Sequence, residues 1–264
     1  MGCGSSKEDP SPTFSSVTTL AKYPEERYPE AKLYEIPVAE AIPVVMGYPA
    51  YFSETPPISY DTSKLLAVMH EYNIGPHYLE DLINLTHFDI VILCDDSTSM
   101  NTPDGHLNGM TVSRWDELKH VVQMVVKVGA ALDSDGIDVL FFHREGLANV
   151  SDVSQVNELF RQAPPNYQPT PLTATTDRIL KEHTPGPKPL LLVIATDGVP
   201  TDAEGHRSDS ITRDFTNTLK GKSHNKVFVS ILACSDDDRD IGYLNKLDVD
   251  VPGLDVLDDY RSEY

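Results

Sequence analysis

The stretch Phe88–Met100, FDIVILCDDSTSM, decides how this chain is to be understood. It opens on Ile90-Val91-Ile92-Leu93, an apolar, β-branched run of the length of a buried strand. It then turns abruptly to Asp95-Asp96-Ser97-Thr98-Ser99. Alternate residues of an extended chain share a face, so Asp95, Ser97 and Ser99 converge as the strand ends. One carboxylate and two hydroxyls make a hard, oxygen-only surface, which suits a small cation such as Mg2+. The plainer alternative is a Ser/Asp-rich turn that caps the next helix.

Further apolar runs follow at Ile137–Phe142, Leu190–Ala195 and Val227–Ala233, with Leu254–Leu257 as an edge strand. Between them lie amphipathic segments: Arg114–Leu132, Val153–Phe160, Leu172–Lys181, Ile211–Leu219 and Ile241–Leu247. A helix from about Ser63 to Gly75-Pro76, and a short one carrying Leu79, Leu82 and Ile83, lead into the first strand. Apolar strands alternating with helices predict an α/β domain: a doubly wound, mostly parallel sheet with helices on both faces. Its expected span is 63–257, followed by an acidic tail, 258–264.

Residues 1–62 differ in kind. Tyr23-Pro24, Tyr28-Pro29, Tyr48-Pro49 and Thr55-Pro56-Pro57 oppose both helix and ladder, so the segment reads as a largely disordered, Pro/Tyr-rich tether. At its start, Met1-Gly2-Cys3-Gly4-Ser5-Ser6 fits an N-myristoylation pattern, with Gly2 as acceptor and Cys3 placed for palmitoylation. One myristoyl chain holds only marginally, so the second acyl group would complete an anchor on the cytosolic face of a membrane.

The net charge of −20 argues against nucleic acid and against a polybasic hold on anionic lipid. The cysteines, Cys3, Cys94 and Cys234, are too widely spaced for a disulfide framework; Cys94 and Cys234 sit in apolar runs, as buried thiols do in a reducing compartment. No apolar run reaches the roughly 18 residues of a membrane span.

Three pieces fall at the ends of strands or the starts of helices: Asp95-x-Ser97-x-Ser99, Pro169-Thr170-Pro171-Leu172-Thr173 and Ala195-Thr196-Asp197-Gly198. In a doubly wound sheet such loops meet beyond the carboxyl ends of the strands, where strand order reverses. In this pattern the chain resembles the von Willebrand factor type A family with its metal-ion-dependent adhesion site. The resemblance covers Phe88 to Leu257. It implies Asp95, Ser97, Ser99, Thr170 and Asp197 as ligands of Mg2+ or Mn2+, with Thr173 a rival to Thr170 and Asp96 facing away. It further implies a non-catalytic, metal-dependent interaction module that takes an Asp or Glu of a protein partner as the remaining ligand. The alternative is a Mg-dependent phosphatase or a receiver-like phosphoacceptor domain. Ser97 stands where a phosphatase motif wants a second Asp, and neither Ser97 nor Ser99 sits in a nucleophile elbow.

Overall fold

A computed structural model of the chain describes residues 60–107, 109–183, 187–223, 226–235, 243–244, 247 and 250–257. Gly2, Cys3, the Pro/Tyr-rich segment and the acidic tail lie outside the described residues.

The fold is mixed α/β, built on a six-stranded, mostly parallel sheet. The strands are β1 (Asp89–Cys94), β4 (Ile137–Phe141), β5 (Leu147–Val150), β6 (Leu190–Thr196), β7 (Val227–Ala233) and β8 (Leu254–Leu257). A separate antiparallel pair, β2 (Gly105–Leu107) and β3 (Met110–Val112), precedes the longest helix. In the main sheet the order is β5-β4-β1-β6-β7-β8. All neighbours are parallel except β4 and β5. From β1 the chain builds outward to β4 and β5, then returns to the other side of β1 to lay down β6.

β1 shows why the sheet is covered twice. Val91 and Leu93 pack with Leu172 and Ile179 of α5 (Leu172–Glu182) and with Phe215 and Leu219 of α6 (Asp209–Lys220). Ile92 and Cys94 point the other way, onto Trp115, Leu118, Val122 and Val126 of α3 (Arg114–Leu132) and Val156 of α4 (Val153–Leu159). A strand buried on both faces has no polar alternation, which is why its sequence reads as one apolar run. Burying each such side chain stabilises the fold by about 1.5–3 kcal/mol.

α1 (Thr62–Glu71) seats Leu65, Val68 and Met69 on Val128, Ala131 and Leu132 of α3. It ends before the expected Gly75-Pro76 stop, because Asn73 takes a left-handed φ of 55°. α2 (Leu79–Asn84) is the short helix expected before β1. Two elements were not expected. β5 is a short edge strand with three of its four residues exposed. The β2–β3 hairpin occupies what reads in sequence as a Gly/Asn loop. At Gly136 the turn into β4 needs φ 78°, and a Cβ there would stand 2.5 Å from the Val150 carbonyl oxygen. Of the helix expected over 241–247, only residues 243, 244 and 247 are described; Leu244 and Leu247 are core residues.

Candidate functional site: a polar cluster at the carboxyl end of the sheet

β1 and β6 end side by side, at the point where strand order reverses, and five residues named from sequence meet beyond them. Asp95 extends the ladder, its N–H donating to the Ala195 carbonyl at 2.9 Å. Its side chain is wholly buried: Oδ1 accepts from the Ser97 backbone N–H at 2.8 Å and Oδ2 from the Thr196 hydroxyl at 2.6 Å. Ser97 and Ser99 share a hydrogen bond at 3.0 Å, and Ser99 Oγ donates to Asp197 Oδ1 at 2.8 Å. Thr170 is buried beside the Asp197-Gly198 turn; a Cβ on Gly198 would lie 3.9 Å from its hydroxyl oxygen. Reciprocal bonds with Thr201 hold it there: Thr170 N–H to the Thr201 hydroxyl, and Thr201 N–H to the Thr170 carbonyl, each at 2.9 Å.

The charges are answered from within. Arg114 Nη1 donates to Asp197 Oδ2 at 2.7 Å, while its Nε and Nη2 grip both oxygens of Asp104 at 2.8 and 2.6 Å. Asp104 is thereby held below the usual carboxylate range, chiefly by the Arg114 hydrogen bonds, and the guanidinium is held firmly protonated. Among the described residues Asp95 has no cation of its own. Burial, together with the charge of Asp197, pushes its carboxyl up to about 7, against the opposing pull of its hydrogen bonds from Ser97 and Thr196. Tyr243, its hydroxyl 3.3 Å from the Gly198 carbonyl, is raised by its burial and by Asp95.

Two neighbouring residues go elsewhere. Asp96 turns from the cluster, as expected, and accepts from the backbone N–H groups of His143 and Arg144 and from Arg144 Nε, at 3.0, 3.2 and 3.0 Å. Thr173 lies in the first turn of α5, on a groove between α5 and α6.

Sequence reasoning missed Arg114, Asp104, Thr196 and Thr201. Arg114 carried a signal: it occupies the first residue of α3, where the helix dipole disfavours a cation. A base in that position needs a specific acidic partner. The loop 164–170 was also unforeseen as a rigid part. Thr98 accepts from the Gln168 N–H at 2.8 Å and donates to the Pro165 carbonyl at 3.1 Å; Asn101 donates to the Pro164 carbonyl at 2.9 Å. His143 Nε2 reaches the Pro169 carbonyl at 2.8 Å. On this fastened loop Tyr167 stands 96% exposed with φ 67°, a conformation that costs a bulky residue energy.

Two carboxylates and three hydroxyls are a donor set that Mg2+ or Mn2+ takes, and Asp95, Ser97, Ser99, Thr170 and Asp197 are the residues that could hold it. The geometry qualifies that fit. Both oxygens of Asp197 are engaged, one by Ser99 and one by Arg114, so a cation there competes with a guanidinium.

No family model matches the chain, and no curated protein does. Solved structures do resemble it. The D319A mutant of the PilB minor pilin from Streptococcus sanguinis superposes with a TM-score of 0.52 at 11% identity, over 67% of this chain and 58% of that one. The pilus adhesin SpaC from Lactobacillus rhamnosus GG gives 0.43 at 14% identity, over 64% of this chain and 28% of that one. The chain thus spans well under two thirds of each. At such identities the PilB likeness concerns the fold alone, and the SpaC score is too low to carry an argument.

These comparisons correct the family assignment. The von Willebrand factor type A resemblance drawn from Asp95-x-Ser97-x-Ser99, Thr170 and Asp197 finds no matching family model, and the fold shared at a TM-score of 0.52 is that of a minor pilin. The metal-dependent adhesion-site module inferred from it falls with that assignment; the anchor expected at Gly2 and Cys3 rests on residues outside those described. Physically, a count of oxygen ligands does not reveal the positive charge that Arg114 already supplies to Asp197.

Proposed function

We propose that this chain is a non-catalytic, adhesin-like domain that binds a protein partner with the loop rim at the carboxyl end of its sheet. The observation that carries this is Tyr167, displayed at 96% exposure from a loop fastened on both flanks. A rigid, amphipathic ring brings large contact area at little entropic cost, and such residues dominate binding interfaces. The polar cluster beneath supports the reading as a stiff base for the rim. Its serine hydroxyls are bonded to each other and to Asp197, whose charge Arg114 answers, and this arrangement ties the loops together. The finer description of the sheet as doubly wound belongs to the same reading, supported by the strand order.

Site-specific photo-crosslinking tests it. Benzoylphenylalanine replaces Tyr167, or Asp135, which is exposed in the turn before β4 at the opposite end of the sheet. Adducts should form from position 167 and not from 135, and Tyr167→Ala should weaken binding of the partner so identified by at least tenfold. Equal adducts from both positions, or unchanged affinity, would move the contact face elsewhere.

The cofactor is a separate proposal on which the rim does not depend. The oxygen set is of the class that takes Mg2+ or Mn2+, and Asp95, Ser97, Ser99, Thr170 and Asp197 are the residues that would hold it. Mn2+ titration followed by electron paramagnetic resonance decides it; free-ion signal undiminished by the protein would remove the cation.

A further inference from the structure

Beside the rim, α5 and α6 part to leave a groove of about 470 Å3, roofed by the segment that follows Asp197. Ala174, Ala203 and Ile211 give it an apolar lining, and Asp177, Asp202 and Asp214 line it as well. Its size lies within the ~300–1,000 Å3 typical of clefts that hold small ligands or single side chains. Thr201 lines it and is hydrogen-bonded to Thr170 in both directions, so the groove opens directly onto the polar cluster. No basic side chain lines it among the described residues. Asp177 and Asp202 have partners of their own, Lys181 at 2.6 Å and His206 at 3.0 Å, whereas Asp214 has neither ion pair nor side-chain hydrogen bond among the described residues.

We infer that this groove takes a lysine side chain of the bound partner. The argument is charge complementarity joined to shape. A lysine lays its methylene stem on apolar surface while its charged head stays at the polar edge. Its compact ammonium has three donors in rotatable directions, which suits three carboxylates carried by α5, α6 and the segment between β6 and α6; the planar fork of arginine suits one carboxylate met edge-on. In a chain of net charge −20 the acids alone would mean little. Sharing one groove with an apolar lining next to the rim, they select an amphipathic cation over a hydrated one. The inference deepens the binding reading, since it names a residue class that the partner presents beside Tyr167.

The test uses the full chain and two small probes, Nα-acetyl-lysine N-methylamide and its neutral analogue Nα-acetyl-norleucine N-methylamide, with amide NMR shifts as readout. The lysine probe should shift amides of Thr173–Asp177, Thr201–Ala203 and Ile211–Thr218 saturably, and the norleucine probe should bind at least fivefold more weakly. Asp177→Asn with Asp214→Asn should weaken the lysine probe at least fivefold and leave the norleucine probe unchanged; Tyr167→Ala should leave both unchanged. Equal binding of the two probes, shifts scattered over other acidic faces, or indifference to the double substitution would overturn the groove. Because neither probe needs the partner, these results stand apart from the crosslinking at Tyr167: a bound lysine probe with no adducts would sink the rim alone.

Discussion

Asp96 and Asp197 are each 1% exposed at the carboxyl end of the sheet, and each is met by an arginine. The two pairs are built differently. Arg144 is saturated: beyond Asp96 it donates to the carbonyls of Leu159 and Gln162, and its guanidinium lies 4.6 Å from the Trp115 ring centroid and 5.4 Å from that of Phe141. Trp115 in turn packs on Phe160, ring to ring at 4.3 Å. This is a fixed joint that ties β1, the segment after β4 and the end of α4 together. Arg114 instead divides itself between a buried acid and one that is half in water, Asp104. It joins the approach to the β2–β3 hairpin to the loop after β6. One arginine therefore ties a buried acid to main-chain carbonyls and aromatic rings, and the other ties a buried acid to a second acid.

The comparison can be broken by substitution. Arg144→Met leaves a buried carboxylate without its counter-ion and two carbonyls without their donor, and should cost about 3–5 kcal/mol of stability in urea unfolding. Arg114→Met should cost less, about 1.5–3 kcal/mol, since Asp104 turns to water and Asp197 keeps Ser99. Adding Asp197→Asn to Arg114→Met should recover part of that loss, because the orphaned charge is then gone. A larger loss from Arg114→Met than from Arg144→Met would invert the assignment of the two joints.

A smaller effect sharpens it. Asp95 sits next to the Arg114 pair and is raised to about 7 by burial and by Asp197. Its unfolded value is about 3.9, so between these limits the folded protein holds a proton that the unfolded chain releases. The contribution of Asp95 to stability is thus greatest below about pH 4, declines as pH rises toward 7 and is flat above. Urea midpoints taken from pH 5 to 8 should fall in the native protein, and the slope should flatten in Asp95→Asn. An identical slope in the variant would mean that another group carries the titration.

Much of the architecture was legible because the strands announce themselves. Ile90–Leu93, Leu190–Ala195 and Val227–Ala233 are short, β-branched and almost wholly apolar, and their length and their alternation with amphipathic segments favour strands. Asp95, Ser97, Ser99 and Asp197 were legible for a related reason: small oxygen-bearing residues directly after such strands have few other places to go, whereas Thr170 precedes α5 and was named through the family pattern. What stayed hidden was made by tertiary contact. The strand Leu147–Val150 exposes three of its four residues and exists through pairing with β4, so its own pattern carries little signal. Arg114 reads as one more charged residue of a surface helix until Asp104 and Asp197 are brought to it across 10 and 83 positions. The family assignment failed at the same step, since a motif of ligand types does not reveal a counter-charge supplied from elsewhere in the chain.

The fastening of the 164–170 loop has a consequence of its own. Thr98 and Asn101 hold it through the carbonyls of Pro164 and Pro165 and the N–H of Gln168, all of them main-chain groups. Prolines have no N–H to offer, so the carbonyl is their whole contribution, and any neighbour in the loop contributes its side chain elsewhere. The grip is therefore blind to what residues 166 and 167 are. A lineage could exchange the ring at 167 for another group, and so exchange what the domain fastens to, while the clamp beneath it and the sheet beneath the clamp went unchanged.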